Sequence, residues 1–246
     1  MIKVWALTDV GLVRHQNQDA YGVENAADSG QTICVVCDGM GGPKGGDIAS
    51  KIAVDSFVST VKANLRPHMT PEQIREVASY ATSVANTDIR RAAEENPALR
   101  GMGTTLVSAI SYGEGVVVSN VGDSRAYLIN REGIQRISKD HSLVETLVDR
   151  GDITEDEART HPQRNYITRA LGPESSTLCD GFIVPFATGD FILLCTDGLV
   201  STVSDQEMQY EILYGEDLDH CLERLLDISK RNGAADNVTA VLMQKC

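Results

Sequence analysis

Four apolar runs of this chain adjoin an aspartate. Ile33-Cys34-Val35-Val36-Cys37 leads into Asp38, followed by glycine at 39, 41 and 42. Phe191 to Thr196 leads into Asp197-Gly198, and Val116 to Val121 passes through Gly122 into Asp123. Asp236-Asn237 stands directly before the run Val238 to Met243. A carboxylate beside a buried strand is costly unless a partner holds it, and a cation is one such partner. Oxygen-only ligation by aspartates suits magnesium or manganese. A structural calcium site is the competing reading, although its ligands usually crowd one loop and these lie far apart. Two divalent ions bridged by a carboxylate can activate a shared water and clamp an in-line displacement at phosphorus. Arg14, five residues before Asp19, adds a planar fork suited to phosphate oxygens. Taken alone, the stretch from Asp9 to Asp19 reads as a solvated loop.

The elements that must position these residues follow from periodicity. Strands are expected at Val4 to Thr8, Ala20 to Glu24 and Ile33 to Cys37, with a turn from Asn25 to Gln31. Pro43-Lys44-Gly45-Gly46 leads to a helix from near Asp47, with Ala49, Ala53, Phe57, Val61 and Leu65 on its buried face. Thr70-Pro71-Glu72-Gln73 is a capping box that opens a second helix, which Asn96-Pro97 stops. An antiparallel meander is predicted from Thr104 to Ile137. Two short helices follow, at Ser142 to Arg150 and after the Thr154 cap, inside a polar insertion of the kind that borders a site. Strands resume at Gly181 to Pro185 and Phe191 to Thr196. Ser204 caps a helix to about Tyr214, and another is predicted from about Leu218 to Arg231, with Gly233 as its C-terminal cap. The fold class is α+β: antiparallel sheets covered by helix pairs.

Composition narrows the partners. The formal net charge of −13 argues against nucleic acid or an anionic membrane surface. No apolar run has the length of a membrane span, and the start Met1-Ile2-Lys3-Val4-Trp5 lacks a signal-peptide layout, so a cytoplasmic location is expected. Cys34 and Cys37 form a C-x-x-C, but on a strand they point to opposite faces, and no second pair completes a zinc site. With Cys195, Cys221 and Cys179 they read as small buried hydrophobes.

Seven motifs, in order, resemble the metal-dependent protein phosphatase family, type 2C, in its bacterial form. They are Arg14-x-x-Asn17-Gln18-Asp19, Asp38-Gly39-Met40-Gly41-Gly42, Gly103-Thr104-Thr105, Val121-Gly122-Asp123-Ser124-Arg125, Asp140-His141-Ser142, Thr196-Asp197-Gly198-Leu199 and Asp236-Asn237-Val238-Thr239. The resemblance implies one phosphatase domain over residues 1–246, a β-sandwich flanked on both sides by pairs of helices, with a flap at about 141–171. It implies hydrolysis of phosphoserine and phosphothreonine by a hydroxide bridging two Mn²⁺ or Mg²⁺ ions, opposing Ser/Thr kinases. By the same resemblance, Asp38 bridges the ions, the Gly39 carbonyl reaches one, and Asp197 and Asp236 complete the second site. Asp19 bonds metal-bound water, Arg14 holds the substrate phosphate, and Asp123 with Asp197 matches a third, weaker ion site. Arg164 in the flap is a substrate contact on this reading. The implied partners are phosphorylated proteins, substrates of a cognate kinase, and the chain is expected to act as a monomer.

One departure stands out. Many members carry histidine where this chain has Met40, and methionine cannot act as a general acid, so that role is unassigned. His141 is titratable, but a hydrogen-bonded loop histidine is an equally good reading. Two other functions are open: a non-catalytic phosphoprotein-binding regulator, which the intact acids oppose, and a small-molecule phosphohydrolase.

Overall fold

The computed structural model describes residues 1–26, 30–42 and 45–246. Strand β3 (Gln31–Met40) is its axis, because its side chains alternate between two cores. Cys34 and Val36 face a second sheet, whereas Ile33, Val35 and Cys37 face a layer of helices. The C-x-x-C pair is therefore split between faces, as the strand period requires.

One sheet has the spatial order β1 (Ile2–Asp9), β11 (Val238–Lys245), β10 (Phe191–Cys195), β7 (Arg125–Asn130), β8 (Gly133–Arg136). The other runs β2 (Asp19–Ala26), β3, β5 (Leu106–Tyr112), β6 (Gly115–Val121), β9 (Asp180–Pro185), with the short β4 (Gly103–Thr104) on the end of β3. Every pairing is antiparallel. Between the sheets lies a dry layer including Val107, Val118, Ile192, Leu194, Val241 and Met243. Each fully buried aliphatic side chain there contributes about 2 kcal/mol relative to exposure.

Helices α1 (Gly46–Asn64) and α2 (Pro71–Glu95) cover the outer face of the β3 sheet through Ala49, Phe57, Val61, Ile74, Ala81 and Ile89. The Thr70–Gln73 capping box and Pro71 at the first turn start α2 as the sequence predicts. Between β8 and β9 stand α3 (Leu143–Asp149) and α4 (Glu155–Thr160). The other sheet is covered by the short α5 (Asp197–Val200), α6 (Asp205–Tyr214) and α7 (Cys221–Arg231), through Leu199, Met208, Ile212, Leu222 and Leu225. The result is the α+β sandwich between helix pairs.

Several boundaries differ from expectation, and the short α5 at Asp197–Val200 stands where no helix is expected. Strand β3 does not stop at Cys37: Asp38 lies inside it, because Gly39 and Met40 pair with Thr104 and Gly103 of β4. The helix expected from Leu218 is broken, since Asp217 caps a separate 3-10 turn at Leu218–His220 and α7 begins only at Cys221. Between Asn25 and Gln31, β2 continues to Ala26 and β3 starts at Gln31. The remainder of that expected turn, and Pro43-Lys44 before α1, lie outside the described residues.

Candidate active site

Asp19 begins β2 directly opposite Asp38 of β3 in the antiparallel register. Asp38 shares its face with Cys34 and Val36, so both carboxylates point from one sheet toward the end of the other. That end supplies Asp197, in the first turn of α5 just past β10, and Asp236, just before β11. A Cβ on Gly198 would stand 1.9 Å from the Asn237 carbonyl oxygen, so only glycine lets Asp197 and Asp236 come this close together. Asp123 enters from the β6–β7 turn, where Gly122 has φ +105°. A Cβ on Gly39 would stand 2.0 Å from the Gly46 carbonyl oxygen, so the start of α1 is packed against the end of β3.

The electrostatics are those of crowded, desolvated acids. Burial, reinforced by Asp19, Asp197, Asp123 and Asp236, pushes the Asp38 carboxyl well above the ordinary range. Burial raises the Asp197 carboxyl, with the Asp236 charge adding to it. Asp19 is pushed up to about 7 by burial and Asp123 to about 8 by the same cause, with the Asp197 charge raising both. Among the described residues, Asp19 Oδ1, Asp123 Oδ1 and Asp197 Oδ1 are buried oxygens without a hydrogen-bond partner. Desolvated, unpartnered, like-charged oxygens fit a bound cation. No three of the described His, Cys, Asp and Glu side chains form a direct ligand set. A set of carboxylate oxygens suits hard cations such as magnesium, which keep several waters.

Supporting hydroxyls fix these acids. Thr196 Oγ1 donates to Asp19 Oδ2 at 3.0 Å and accepts from Thr239 N at 3.0 Å. Asp38 N donates to Thr105 Oγ1 at 2.9 Å, and Thr104 Oγ1 donates to the Asp38 carbonyl at 2.8 Å. Thr105 Oγ1 also shares a 2.7 Å bond with Ser124 Oγ, linking Asp38 to the residue after Asp123. The sequence motifs contain these hydroxyls, but their role rests on cross-strand contacts that spacing does not reveal.

Arg14 Nη2 donates to Asp236 Oδ2 at 2.8 Å, and this bond raises the guanidinium further. Its side chain is 54% exposed, so the fork stands at the mouth of the acid cluster. Arg164 is exposed on a turn, with its N–H donating to the His161 carbonyl at 3.1 Å. It lines a shallow depression of about 350 Å³ with Pro162, Gln163, Asn165 and Tyr166. A larger depression of about 540 Å³ between Glu211, Arg224 and Asp227 contains none of the acids. We take the acid cluster as the site, since chemistry depends on convergent groups more than on cavity size.

His141 is buried, and burial lowers its pKa. Its Nδ1 accepts from Gly122 N at 3.0 Å, and Nε2 lies 3.1 Å from Asp180 Oδ2. Its hydrogen bonds match the loop-histidine reading. The end of the same segment is also tied, since Leu171 and Thr104 exchange backbone hydrogen bonds.

The model of the family described as Protein phosphatase 2C matches residues 13–243. This chain belongs to that family. The serine/threonine phosphatase stp of Listeria innocua is 38% identical over 238 residues, covering 97% of this chain and 94% of that protein. The crystal structure of the serine/threonine phosphatase Stp1 from Staphylococcus aureus superposes with a TM-score of 0.93 at 37% identity, covering 99% of this chain and 95% of that one. The catalytic domain of serine threonine protein phosphatase PstP, in complex with two manganese ions, superposes with a TM-score of 0.85 at 30% identity, covering 99% and 97%.

Proposed function

We propose that this protein is a metal-dependent protein serine/threonine phosphatase, hydrolysing phosphoserine and phosphothreonine on phosphorylated proteins. The observation that carries the reading is the convergence of Asp19, Asp38, Asp123, Asp197 and Asp236 beside the Arg14 fork. Membership in the protein phosphatase 2C family supports the reaction class. The manganese pair in the PstP relative supports Mn²⁺ or Mg²⁺ as the cofactor.

In this reading Asp38 would help hold two ions, Asp197 and Asp236 the second of them, and the Gly39 carbonyl the first. Asp19 would orient water, and Asp123 with Asp197 would help hold a third ion. When bound, the ions supply an activated water and neutralise charge at phosphorus. Arg14 orients the phosphate by charge-assisted hydrogen bonds and disfavours uncharged analogues. The sheets bring the acids together before substrate arrives, so little reorganisation is needed. Met40 supplies no proton. Residues 1–246 act as one phosphatase domain in which 141–171 form the flap, and Arg164 meets the polypeptide substrate.

The reading extends to a cytoplasmic monomer opposing a Ser/Thr kinase. All six cysteines are free, as a reducing compartment favours. No helix among the described residues is long and apolar enough to cross a membrane. The test is hydrolysis of an aryl phosphate and a phosphothreonine peptide, with and without Mn²⁺. Manganese-dependent turnover of both is expected. Binding of the phosphopeptide without turnover would favour a non-catalytic regulator.

A further inference from the structure

The neck of the loop that carries Arg14 is held by Asn237, alongside bonds from Asn17 Nδ2 to Thr8 Oγ1 at 2.8 Å and from Leu12 N to the Ala234 carbonyl at 2.9 Å. Asn237 Nδ2 donates to the Val10 carbonyl at 2.9 Å and the Gln16 carbonyl at 3.0 Å. Its Oδ1 accepts from Gln18 N at 2.8 Å. Two carbonyls and one N–H face the amide, so the network admits only one amide orientation. Asn237 is buried, and all three partners are backbone groups on either side of Arg14. The loop also lies close on this peptide, since a Cβ at Gly11 would stand 2.2 Å from the Asp236 carbonyl oxygen.

We infer that Asn237 is a positioning residue for Arg14, setting the reach of the phosphate-binding fork over the acid cluster. Arg14 is long and exposed, and its tip bonds Asp236, so ordering it costs conformational entropy. Cross-linking Val10, Gln16 and Gln18 removes the backbone part of that freedom before substrate binds. Asn237 also follows Asp236 directly, which couples the arginine to the same short segment as the acid it contacts. The bond from Asn237 N to Asp236 Oδ1, 2.9 Å, uses the main chain and survives truncation of the side chain.

This inference rests on the proposed phosphatase reading, so the wild-type protein is assayed first. Absence of manganese-dependent aryl phosphate turnover there would count against that reading and not specifically against Asn237. With active wild type, the experiment is a double-mutant cycle of Asn237→Ala and Arg14→Ala. Asn237→Ala is expected to raise KM and the inhibition constant of inorganic phosphate by about tenfold, with a smaller change in kcat. Its effect should not exceed that of Arg14→Ala and should largely vanish in the Arg14→Ala background. Calorimetric Mn²⁺ affinity should stay near wild type. Hydrogen exchange of the metal-free protein should speed up at residues 11–16, with β11 still protected. Additive effects in the cycle, an unchanged KM, or a loss of Mn²⁺ affinity matching the loss of activity would each overturn the assignment. Should the alanine variant not fold, Asn237→Ser retains one hydroxyl and enters the same cycle, under the same outcomes.

Discussion

Asp19 and Asp38 are paired across neighbouring antiparallel strands, residue opposite residue. Like charges in that position repel and weaken a sheet. Here the conflict is deepened by burial and by Asp197, Asp123 and Asp236 around Asp38. The strands hold the pair anyway, through Thr196 on Asp19 and Thr105 on the Asp38 backbone. A site strained in this way is relieved by protons or by cations, and that competition is measurable.

The metal-free protein should lose stability as pH rises. Asp19 and Asp123 titrate at about 7 and about 8 in the fold, above the ordinary 3.8. The folded state thus binds protons more tightly than the unfolded one. Their favourable contribution is fully present below the unfolded value and is lost as pH climbs through the folded values. Tm in chelator should fall by several degrees from about pH 5 to about pH 8. Saturating Mn²⁺ should raise Tm and flatten that slope. A metal-free Tm that climbs over the same interval would contradict the account.

Removing the central acid separates function from fold. Asp38→Ala deletes a crowded charge, while the hydrogen bonds of the Asp38 backbone to Thr104 and Thr105 are independent of its side chain. The variant should stay folded and, without metal at pH 8, melt no lower than wild type. Turnover should fall by at least about a thousandfold, because the proposed bridging ligand is gone. Near-normal kcat would remove the acid cluster from the mechanism.

Much of this site was legible in the sequence, for a physical reason. Buried strands read as apolar runs, and an aspartate beside such a run is conspicuous, so Asp38, Asp123, Asp197 and Asp236 stood out. The helices declared themselves through 3.6-residue periodicity and the boxes at Thr70, Thr154 and Ser204. What spacing could not give was register. That Asp19 faces Asp38, or that Asn237 reaches Val10 and Gln16, depends on pairings between residues far apart in the chain. The true end of β3 beyond Asp38 is hidden for the same reason, since the two-residue β4 that extends β3 is too short to show a period.

The arginine should matter for phosphate and not for the fold. Arg14 is exposed and bonds the half-exposed Asp236 carboxylate, so Arg14→Ala should leave Tm within about a degree or two. The value of kcat/KM on an aryl phosphate should drop roughly a hundredfold, as a charge-assisted fork is lost. Arg14→Lys should recover only part, because an ammonium lacks the bidentate geometry. Full recovery by lysine would reduce the role of Arg14 to simple charge.

Asp123 distinguishes a two-ion site from one that needs a third. It follows Gly122 at a turn with φ +105°, where an ordinary structural aspartate would be unremarkable. Asparagine serves turns nearly as well, so Asp123→Asn should keep activity if shaping the turn is its whole task. The structure favours more than that: Asp123 is buried, its Oδ1 has no hydrogen-bond partner, and the Asp197 charge raises its pKa. Replacing the carboxylate by an amide removes one negative charge at nearly constant volume. The main pair, which Asp38, Asp197 and Asp236 would hold in the proposed reading, should still bind with near wild-type affinity in calorimetry. Turnover should nonetheless fall by about two to three orders of magnitude, the loss expected when an electrostatic stabiliser of the reacting phosphate is removed. The same substitution should also weaken the fall in metal-free stability between about pH 5 and about pH 8, since one of the raised acids responsible no longer titrates. The measurement is kcat against Mn²⁺ concentration for both proteins, beside their melting curves in chelator. Wild-type turnover in Asp123→Asn at every Mn²⁺ concentration would reduce Asp123 to a turn residue.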